Sequence, residues 1–187
     1  MNVRARLSTA AVVDAAVAVL DEHGVEGLTL AAVAARTGVA TPSLYKHVGS
    51  LAELKAHVAV RALDDMTERF TKAVLGRAGD DAVTVLMHEY RAYVREHPRR
   101  YAAMSVDPLH DPSLREAGVR LMEVMLATLR GYGLEGSDAV HATRRLRVLV
   151  HGFADLEARG GFGLPEELDD TYDQLVRMYL DSLGGTT

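Results

Sequence analysis

Residues 28–54 read LTLAAVAARTGVATPSLYKHVGSLAEL, and this stretch decides the fold of the chain. Thr29 can cap a short helix over residues 30–36, because a threonine hydroxyl accepts a hydrogen bond from the free N–H groups of a first helical turn. The apolar positions of that helix fall on one face. Gly38 follows, and glycine most easily adopts the left-handed conformation that ends a helix and turns the chain sharply.

A second short helix is predicted over residues 42–47. Thr41 offers an N-cap, and Pro42 stands at a first helical position, where the missing N–H of proline costs nothing. Two short helices joined by a glycine-containing turn form a helix-turn-helix, whose second helix enters the major groove of DNA. An ordinary helical hairpin with a polar outer face is the alternative interpretation.

The side chains of this second helix suit a DNA-binding surface. Leu44 and Val48 lie four positions apart and can both face the core. The other side chains then face solvent or the edge of the helix, and they carry hydroxyl, phenol, ammonium and imidazole groups: Ser43, Tyr45, Lys46 and His47. Such groups donate hydrogen bonds to phosphates and probe base edges, so the helix is equipped to bind a duplex.

A long fourth helix is predicted to begin at Ser50, because Ser50 and Glu53 form the capping-box pattern S-L-A-E. Its apolar residues continue to about Leu75 with few helix breakers. A helix of ~25 residues spans roughly 37 Å, so it connects a DNA-binding head to the remainder of the chain. We predict a helix-turn-helix domain at 1–54 and a ligand-binding and dimerisation domain at 55–187.

The whole pattern predicts an all-α fold of about nine helices, with a three-helix N-terminal head. No window shows the alternation expected of a strand. Helix one begins at Ser8 or Thr9 and stops at Gly24. Loops rich in glycine and proline separate the later helices, which we expect at about 81–97, 99–105, 111–130, 137–159 and 165–183.

Composition favours a cytoplasmic protein without membrane association. The chain has 187 residues and 48% hydrophobic content, which can fill a sizeable core. It contains no cysteine, so disulfides and thiolate metal sites are excluded, as suits a reducing compartment. No apolar run approaches the ~20 residues of a membrane span. The N-terminus MNVRARLS lacks the apolar segment of a signal peptide.

The net charge of −5 is unevenly distributed. Basic and acidic residues balance within 1–56, so the deficit lies downstream. Local basic groups can still meet phosphates, while an acidic body weakens non-specific attraction, and we expect strong salt dependence. Arg4 and Arg6 precede helix one, and such an arm either reaches phosphates or the minor groove or stays solvated.

The N-terminal quarter of the chain carries a specific resemblance. AAVAVLDEHGVEGLTLAAVAARTGVATPSLYKHV, followed by SLAEL, resembles the DNA-binding domain of the TetR family of bacterial transcription regulators, in order and without gaps. The resemblance implies that Thr29 and Tyr45 contact backbone phosphates. It also places five residues at or near the groove: Thr41, Pro42, Ser43, Lys46 and His47. Lys55, Arg4 and Arg6 complete the predicted DNA-binding set.

One position departs from the family pattern. Many relatives have a lysine just inside the fourth helix, where this chain has Leu51. That phosphate contact therefore depends here on the backbone N–H groups of the helix N-terminus.

A second local resemblance lies in LVHGFADLEARGGFG, residues 149–163. It is similar to the C-terminal domain of one TetR branch, named WHG after its tryptophan, histidine and glycine. His151 and Gly152 match, as does the GGFG loop, but the tryptophan is missing because the chain has none.

The body contains a set of side chains suited to a small-molecule pocket between helices five, seven and eight. Methionine fills irregular space and accepts varied partners, while tyrosine and histidine supply polar anchors. The candidates are Met87, Tyr90, Tyr93, Tyr101, Met104, Met122, Met125, His151, Phe153 and Phe162. Close packing without a cavity is the alternative, and for His151 a structural bond to a backbone carbonyl is favoured.

Helices eight and nine carry apolar residues beyond the needs of one core. Two such faces related by a two-fold axis form a four-helix interface. The predicted interface residues are Val140, Leu146, Val150, Leu156, Tyr172, Leu175, Val176, Tyr179 and Leu183. A dimer also strengthens binding, because two heads on half-sites about one helical turn apart hold DNA more tightly than one.

Enzymatic and metal sites are not expected. The chain has no G-x-S-x-G motif, no P-loop, no G-x-G-x-x-G motif and no cysteine nucleophile. Its histidines lack the spacing of a zinc site. We therefore predict no catalytic residue, no metal and no cofactor.

These features predict a homodimeric TetR-like regulator that binds double-stranded DNA. The expected function is repression at a palindromic operator, relieved by an unidentified small-molecule effector. Two alternatives stay open: a ligand-dependent transcriptional activator, and a helical ligand-binding dimer that does not bind DNA.

Overall fold

The computed structural model describes residues 7–184, and these form nine α-helices and no strand. The helices are α1 (Thr9–Gly27), α2 (Leu30–Thr37), α3 (Thr41–Leu44), α4 (Leu51–Val74), α5 (Gly79–Glu96), α6 (Pro98–Ala103), α7 (Arg115–Leu129), α8 (Gly136–Ala158) and α9 (Leu168–Gly184). The predicted all-α class is confirmed. Within the described residues, no helix combines the length and apolar character needed to cross a bilayer.

Side-chain caps begin the first, second and fourth helices as the sequence predicts. Ser8 Oγ accepts a hydrogen bond from Ala11 N at 3.2 Å, and the helix that follows is interrupted at Gly24, where φ is 73°. Ser50 Oγ accepts from Glu53 N at 3.0 Å. The reciprocal bond runs from Gly49 N to Glu53 Oε2 at 2.8 Å, one residue earlier than the capping box requires.

Three predicted helix starts and one helix end are wrong. Helix α7 begins at Arg115 and not at residue 111, because residues 112–114 form a turn. Thr41 is not the N-cap of α3, because Ala40 holds that position and its carbonyl accepts from Ser43 N at 2.8 Å. The same helix ends at Leu44, since residues 45–47 form a turn. Helix α9 begins at Leu168 and not at Pro165, because its first backbone bond runs from Thr171 N to Glu167 O.

The contacts between residues divide the chain into two compact units. Of the described residues, the first unit comprises 7–63 together with Arg99–Ala117, and the second comprises Asp64–Pro98 and 118–184. Helix α4 begins in the first unit and ends in the second. The predicted domain boundary at 54/55 stays a prediction, and the inclusion of 99–117 in the first unit is a feature that the sequence does not reveal.

The first unit has its own apolar core, built from α1, α2, α3 and the start of α4. Its buried side chains are Val12, Val13, Ala16, Val19, Leu20, Leu28, Val33, Ala34, Leu44, Val48, Leu54 and Val58. Helices α1 and α2 pack on each other, and α2 packs on α3. The helix-turn-helix therefore rests on a filled core that fixes its two helices.

The second unit is organised around α5, which packs on α8 and α9, while α8 and α9 also pack on each other. Two buried tyrosines use their hydroxyls inside this core. Tyr172 OH donates to Met87 O at 2.6 Å, and Tyr179 OH donates to Ala142 O at 3.0 Å. Because burial disfavours the phenolate, the pKa of Tyr179 is raised to about 12 and that of Tyr172 is raised further.

Candidate nucleic-acid interface

The turn between α2 and α3 is built as the sequence predicts. Thr29 Oγ1 accepts a hydrogen bond from Ala32 N at 3.1 Å and so caps α2. Gly38 ends that helix in the left-handed conformation, with φ at 69°, and its N–H bonds to the carbonyls of Ala34 and Ala35. Since a side chain at this φ would be strained, glycine sets the direction in which α3 leaves the turn.

Helix α3 and the turn after it separate apolar from polar side chains. Leu44 is 0% exposed and Val48 is 1% exposed, so both anchor the element in the core. Tyr45 is 55% exposed. Pro42 and Lys46 are also exposed, whereas three of the predicted groove residues are half-buried: Thr41, Ser43 and His47. The structure thus places all six predicted DNA-binding residues of 41–47 on one short element, whose apolar side chains are buried in the core of the head.

Helix α1 holds the position of this element. Thr9 Oγ1 donates to the carbonyl of His47 at 3.4 Å. Near the other end of α1, Glu22 forms an ion pair with Arg36 of α2 at 2.7 Å. Helix α4 is tied to α1 by the pair between Arg61 and Asp14 at 2.8 Å. Helix α1 is therefore bonded to the turn after α3, to α2 and to α4, and these contacts fix the position of the predicted DNA-facing residues.

The start of α4 lies next to the end of this element in the chain. Leu51, at the position where many relatives have lysine, is half-buried, and Lys55 is exposed one turn further on. Thr29 is exposed beside its cap. Arg4 and Arg6 lie outside the described residues. The contribution of each of these residues to DNA binding stays a prediction.

The segment Arg99–Ala117 groups with the N-terminal head in the first unit, which the sequence analysis did not predict. Arg100 binds the Asp21 carboxylate with two parallel bonds, at 2.9 Å from Nε to Oδ1 and 2.6 Å from Nη2 to Oδ2. Arg99 donates to the backbone carbonyl of Asp21. No periodicity reveals such a contact, because the partners are 79 positions apart.

The predicted effector-pocket residues are divided between the two units. Tyr101 and Met104 belong to the first unit, whereas the other eight belong to the second. Phe153 and Phe162 contact each other at 4.8 Å between ring centroids, and His151 is exposed. Four further candidates are buried: Met87, Tyr90, Tyr93 and Met125. Their role in effector binding stays a prediction.

One cavity of the second unit lies where α4 ends, α5 begins and α7 ends. It measures about 300 Å³. Small and apolar side chains form most of its lining, which comprises Thr71, Val74, Arg77, Ala78, Gly79, Ala82, Val124, Ala127, Thr128 and Gly131. None of the predicted pocket residues is among them. The prediction was based on large, polarisable side chains such as methionine and tyrosine, whereas this cavity forms where the side chains are small.

A buried ion pair joins α5, α8 and the start of α9. Arg91 is 5% exposed and binds Glu157 through Nε and Nη2 at 2.7 and 2.8 Å. The same Nη2 contacts Asp169 at 2.8 Å, and the guanidinium lies 5.0 Å from the Phe153 ring centroid and 4.7 Å from that of Tyr172. Burial lowers the pKa of Arg91, but the bonds to Glu157 and Asp169 outweigh it, so the pKa is raised.

Most of the predicted interface residues pack inside the second unit. Six of them are buried within the chain: Leu146, Val150, Tyr172, Val176, Tyr179 and Leu183. Val140 and Leu156 are 41% and 49% exposed, and Leu175 is half-buried. The sequence overlooked the exposed apolar side chains Val148 and Met178, at 69% and 55%. They line an open groove of about 530 Å³ with Leu149, Tyr179, Ser182, His141, Arg144 and Arg145.

Within residues 7–184, no group of three or more histidine or acidic side chains is placed to hold a metal ion.

Two family models match the chain. Residues 12–58 match the model described as bacterial regulatory proteins, tetR family. Residues 83–179, which include the stretch around His151, match the model described as tetracyclin repressor-like, C-terminal domain. The assignment to the WHG branch stays a prediction, since neither description names a branch.

Curated relatives cover most of the chain. An uncharacterised HTH-type transcriptional regulator of Mycobacterium tuberculosis is 39% identical over 83% of this chain and 72% of its own length. One of Bacillus subtilis is 34% identical over 98% of this chain and 96% of its own. The HTH-type transcriptional repressor DrrR1 of Streptomyces coeruleorubidus is 32% identical over 79% of this chain and 51% of its own.

Solved structures share the fold. A Rhodococcus protein of unknown function aligns with a TM-score of 0.78 at 21% identity, covering 98% of this chain and 97% of that one. The TetR family transcriptional regulator PfmR of Thermus thermophilus aligns with a TM-score of 0.62 at 20% identity, covering 92% and 96%.

Proposed function

The chain belongs to the TetR family of DNA-binding transcriptional regulators, and from this premise we propose that it is a homodimeric repressor released from a palindromic operator by a small-molecule effector. The proposal has three parts, which are groove recognition by α3, dimerisation through α8 and α9, and release by a ligand of the second unit.

Groove recognition is supported by the division of side chains on residues 41–48. Leu44 and Val48 are buried, while Tyr45 and Lys46 extend into solvent from the same short element. This is the single observation that carries the proposed function, because a recognition helix needs an apolar anchor and a polar outer surface at once. Thr29 and Tyr45 bind phosphates, and Lys46, with Ser43 and His47, approaches the groove.

Dimerisation is supported by the open groove over α8 and α9. Val148 and Met178 are large apolar side chains that water surrounds in a single chain, and exposed apolar patches of this kind mark interaction surfaces. A second copy related by a two-fold axis covers both side chains with their own equivalents. Two heads then bind half-sites ~34–36 Å apart.

Effector binding is supported by the cavity of about 300 Å³ in the second unit. A ligand releases DNA only if it binds more tightly to the conformation whose heads do not fit the operator. Repression is supported by the relative DrrR1, which is named as a transcriptional repressor.

The first test measures DNA affinity by fluorescence anisotropy, with a labelled duplex from the region upstream of the protein's own gene, at about 50 mM salt. The double variant Tyr45→Ala/Lys46→Ala is expected to bind at least about tenfold more weakly, which corresponds to 1.4 kcal/mol of lost contacts. Lys72→Ala is the matched control, because Lys72 pairs with Glu68 at the far end of α4 and has the same charge. Equal affinity of the double variant and the control would refute groove recognition by α3.

The second test addresses release. Compounds that raise the thermal midpoint of the protein are ligands of its folded state, and each is then added to the protein–duplex complex. A lowered DNA affinity is expected. Ligands that bind tightly and leave the affinity unchanged would refute release, and ligands that raise it would replace the proposal with a regulator that needs its ligand to bind DNA.

A further inference from the structure

We propose that Arg100 is a positioning residue that couples the DNA-binding head to α5 and α7. The inference rests on the proposed function, and it adds a specific route by which the state of the second unit reaches the head. The route consists of the segment Arg99–Ala117, the ion pair between Arg100 and Asp21, and helix α1.

The segment Arg99–Ala117 makes its contacts within the head, but at both ends the chain continues into helices of the second unit. It is grouped with the residues up to Leu63 in the first compact unit. In the chain, however, it follows α5 directly, because α5 ends at Glu96 and α6 begins at Pro98. At its other end it enters α7, whose residues from Gly118 onward belong to the second unit. The chain therefore passes from one unit to the other three times and not only along α4.

The attachment of this segment to α1 is specific. The two parallel bonds from Arg100 to the Asp21 carboxylate fix the direction as well as the distance, since a guanidinium and a carboxylate meet in one plane. The side chains are only 22% and 35% exposed, so water screens the pair less than a surface pair. Arg99 binds the carbonyl of the same aspartate, and Ala103 packs against the core of the head.

Helix α1 continues the route to the recognition element. Asp21 lies on the same helix as Thr9, whose hydroxyl donates to the carbonyl of His47 in the turn that follows α3. Helix α1 also packs on α2. A displacement of α1 therefore acts on both helices of the helix-turn-helix.

The helices at both ends of the segment line the same cavity. Gly79 and Ala82 of α5, and Val124, Ala127 and Thr128 of α7, contribute to the cavity of about 300 Å³. A ligand that separates these two helices pulls on both ends of the segment, because a packed helix moves as a unit and does not deform continuously. The pair of Arg100 and Asp21 passes this pull from the segment to α1, and so adds a second chain connection to the one that α4 makes.

The test uses reciprocity, so it needs no effector. If the head and the second unit are coupled, then DNA bound to the head must alter the second unit by the same coupling free energy. Amide hydrogen exchange of α5 and α7 is measured with and without the upstream duplex at saturating concentration. The unmodified protein is expected to exchange these amides more slowly when DNA is bound.

Arg100→Ala is expected to reduce this DNA-induced slowing about fivefold or more, the lower range of allosteric coupling. Arg36→Ala is the matched control, because it removes an arginine that pairs with the neighbouring acid of α1, Glu22, without touching the segment. The charge-swapped pair Asp21→Arg/Arg100→Asp restores the slowing if the ion pair is the connection, and it keeps the test valid if Arg100→Ala unfolds the segment.

Each outcome decides a separate question. An unmodified protein that binds the duplex without any change in α5 and α7 refutes the coupling. Arg100→Ala with the full slowing, or a loss that Arg36→Ala reproduces, refutes the role of Arg100. The role of Arg100 is also refuted if Asp21→Arg/Arg100→Asp folds and binds DNA but shows no DNA-induced slowing of amide exchange. Absence of DNA binding by the unmodified protein refutes the proposed function itself, and this inference with it.

Discussion

Removal of Arg91 is expected to destabilise the second unit strongly. The guanidinium is 5% exposed and satisfies a Glu157 carboxylate whose side chain is itself 12% exposed. Arg91→Ala leaves that carboxylate buried without its two closest donors. Loss of one partner from a buried pair costs about 3–5 kcal/mol, because the remaining charge keeps its desolvation penalty.

The lower end of that range applies here. Arg95 lies 3.5 Å from Glu157 and is half-exposed, so it can supply part of the missing charge. The contacts of the guanidinium with the Phe153 and Tyr172 rings are lost as well, at about 0.5–2 kcal/mol. We expect a loss of about 3–4 kcal/mol in the free energy of unfolding, or roughly 6–16 °C in the thermal midpoint for a chain of this size.

The assay is urea unfolding followed by far-ultraviolet circular dichroism. Arg95→Ala is the matched control, one turn along the same helix, and it is expected to cost less than about 1 kcal/mol because the side chain is 53% exposed. Arg91→Met combined with Glu157→Leu is expected to recover most of the stability, since an apolar replacement removes the buried charge with its partner. A cost for Arg91→Ala no greater than that for Arg95→Ala would refute the reasoning.

Three further changes test other parts of the structure. Gly38→Ala forces a side chain into φ 69° and is expected to cost about 1–2 kcal/mol in the head, measured by urea unfolding against Gly163→Ala, a change at a glycine without positive φ. Burial raises the pKa of Tyr179 to about 12, while the unfolded chain ionises near the ordinary value of 10.0, so the stability that Tyr179 contributes is complete below about pH 10 and is lost between pH 10 and 12. Tyr179→Phe is expected to make the free energy of unfolding fall less steeply over this range, and an unchanged pH profile contradicts the burial effect. Met178→Asp places a charge in the α8/α9 groove and is expected to dissociate the dimer in sedimentation velocity, whereas an unchanged sedimentation coefficient contradicts that interface.

The local signals of the sequence predict the head well. Thr29 and Gly38 act where the sequence places them, because a cap and a left-handed turn depend on residues within three or four positions. The start of α3 was mistaken because the carbonyl of Ala40 begins the helix without any side-chain cap. Pro42 marks the first turn of this helix, but it does not indicate which of the preceding residues is the cap.

The body was harder to predict, because apolar periodicity does not say which surface covers a side chain. Tyr172 and Tyr179 have the spacing of an interface stripe, yet their hydroxyls bind backbone carbonyls within the same unit. The large apolar side chains of α8 and α9 that stay exposed are Val140, Val148, Leu156 and Met178. The contact of Arg100 with Asp21 joins distant parts of the chain, so only the folded structure reveals it.

Hydroxyl-radical footprinting of the upstream duplex tests the central claim most directly, namely that two copies of residues 41–47 bind one duplex. The expected footprint has two protected tracts whose centres lie about 10–10.5 base pairs apart, or a multiple of that spacing. Both tracts are expected to fade together in Tyr45→Ala/Lys46→Ala. A single tract, no protection at saturating protein, or a footprint that survives in that double variant would contradict the account.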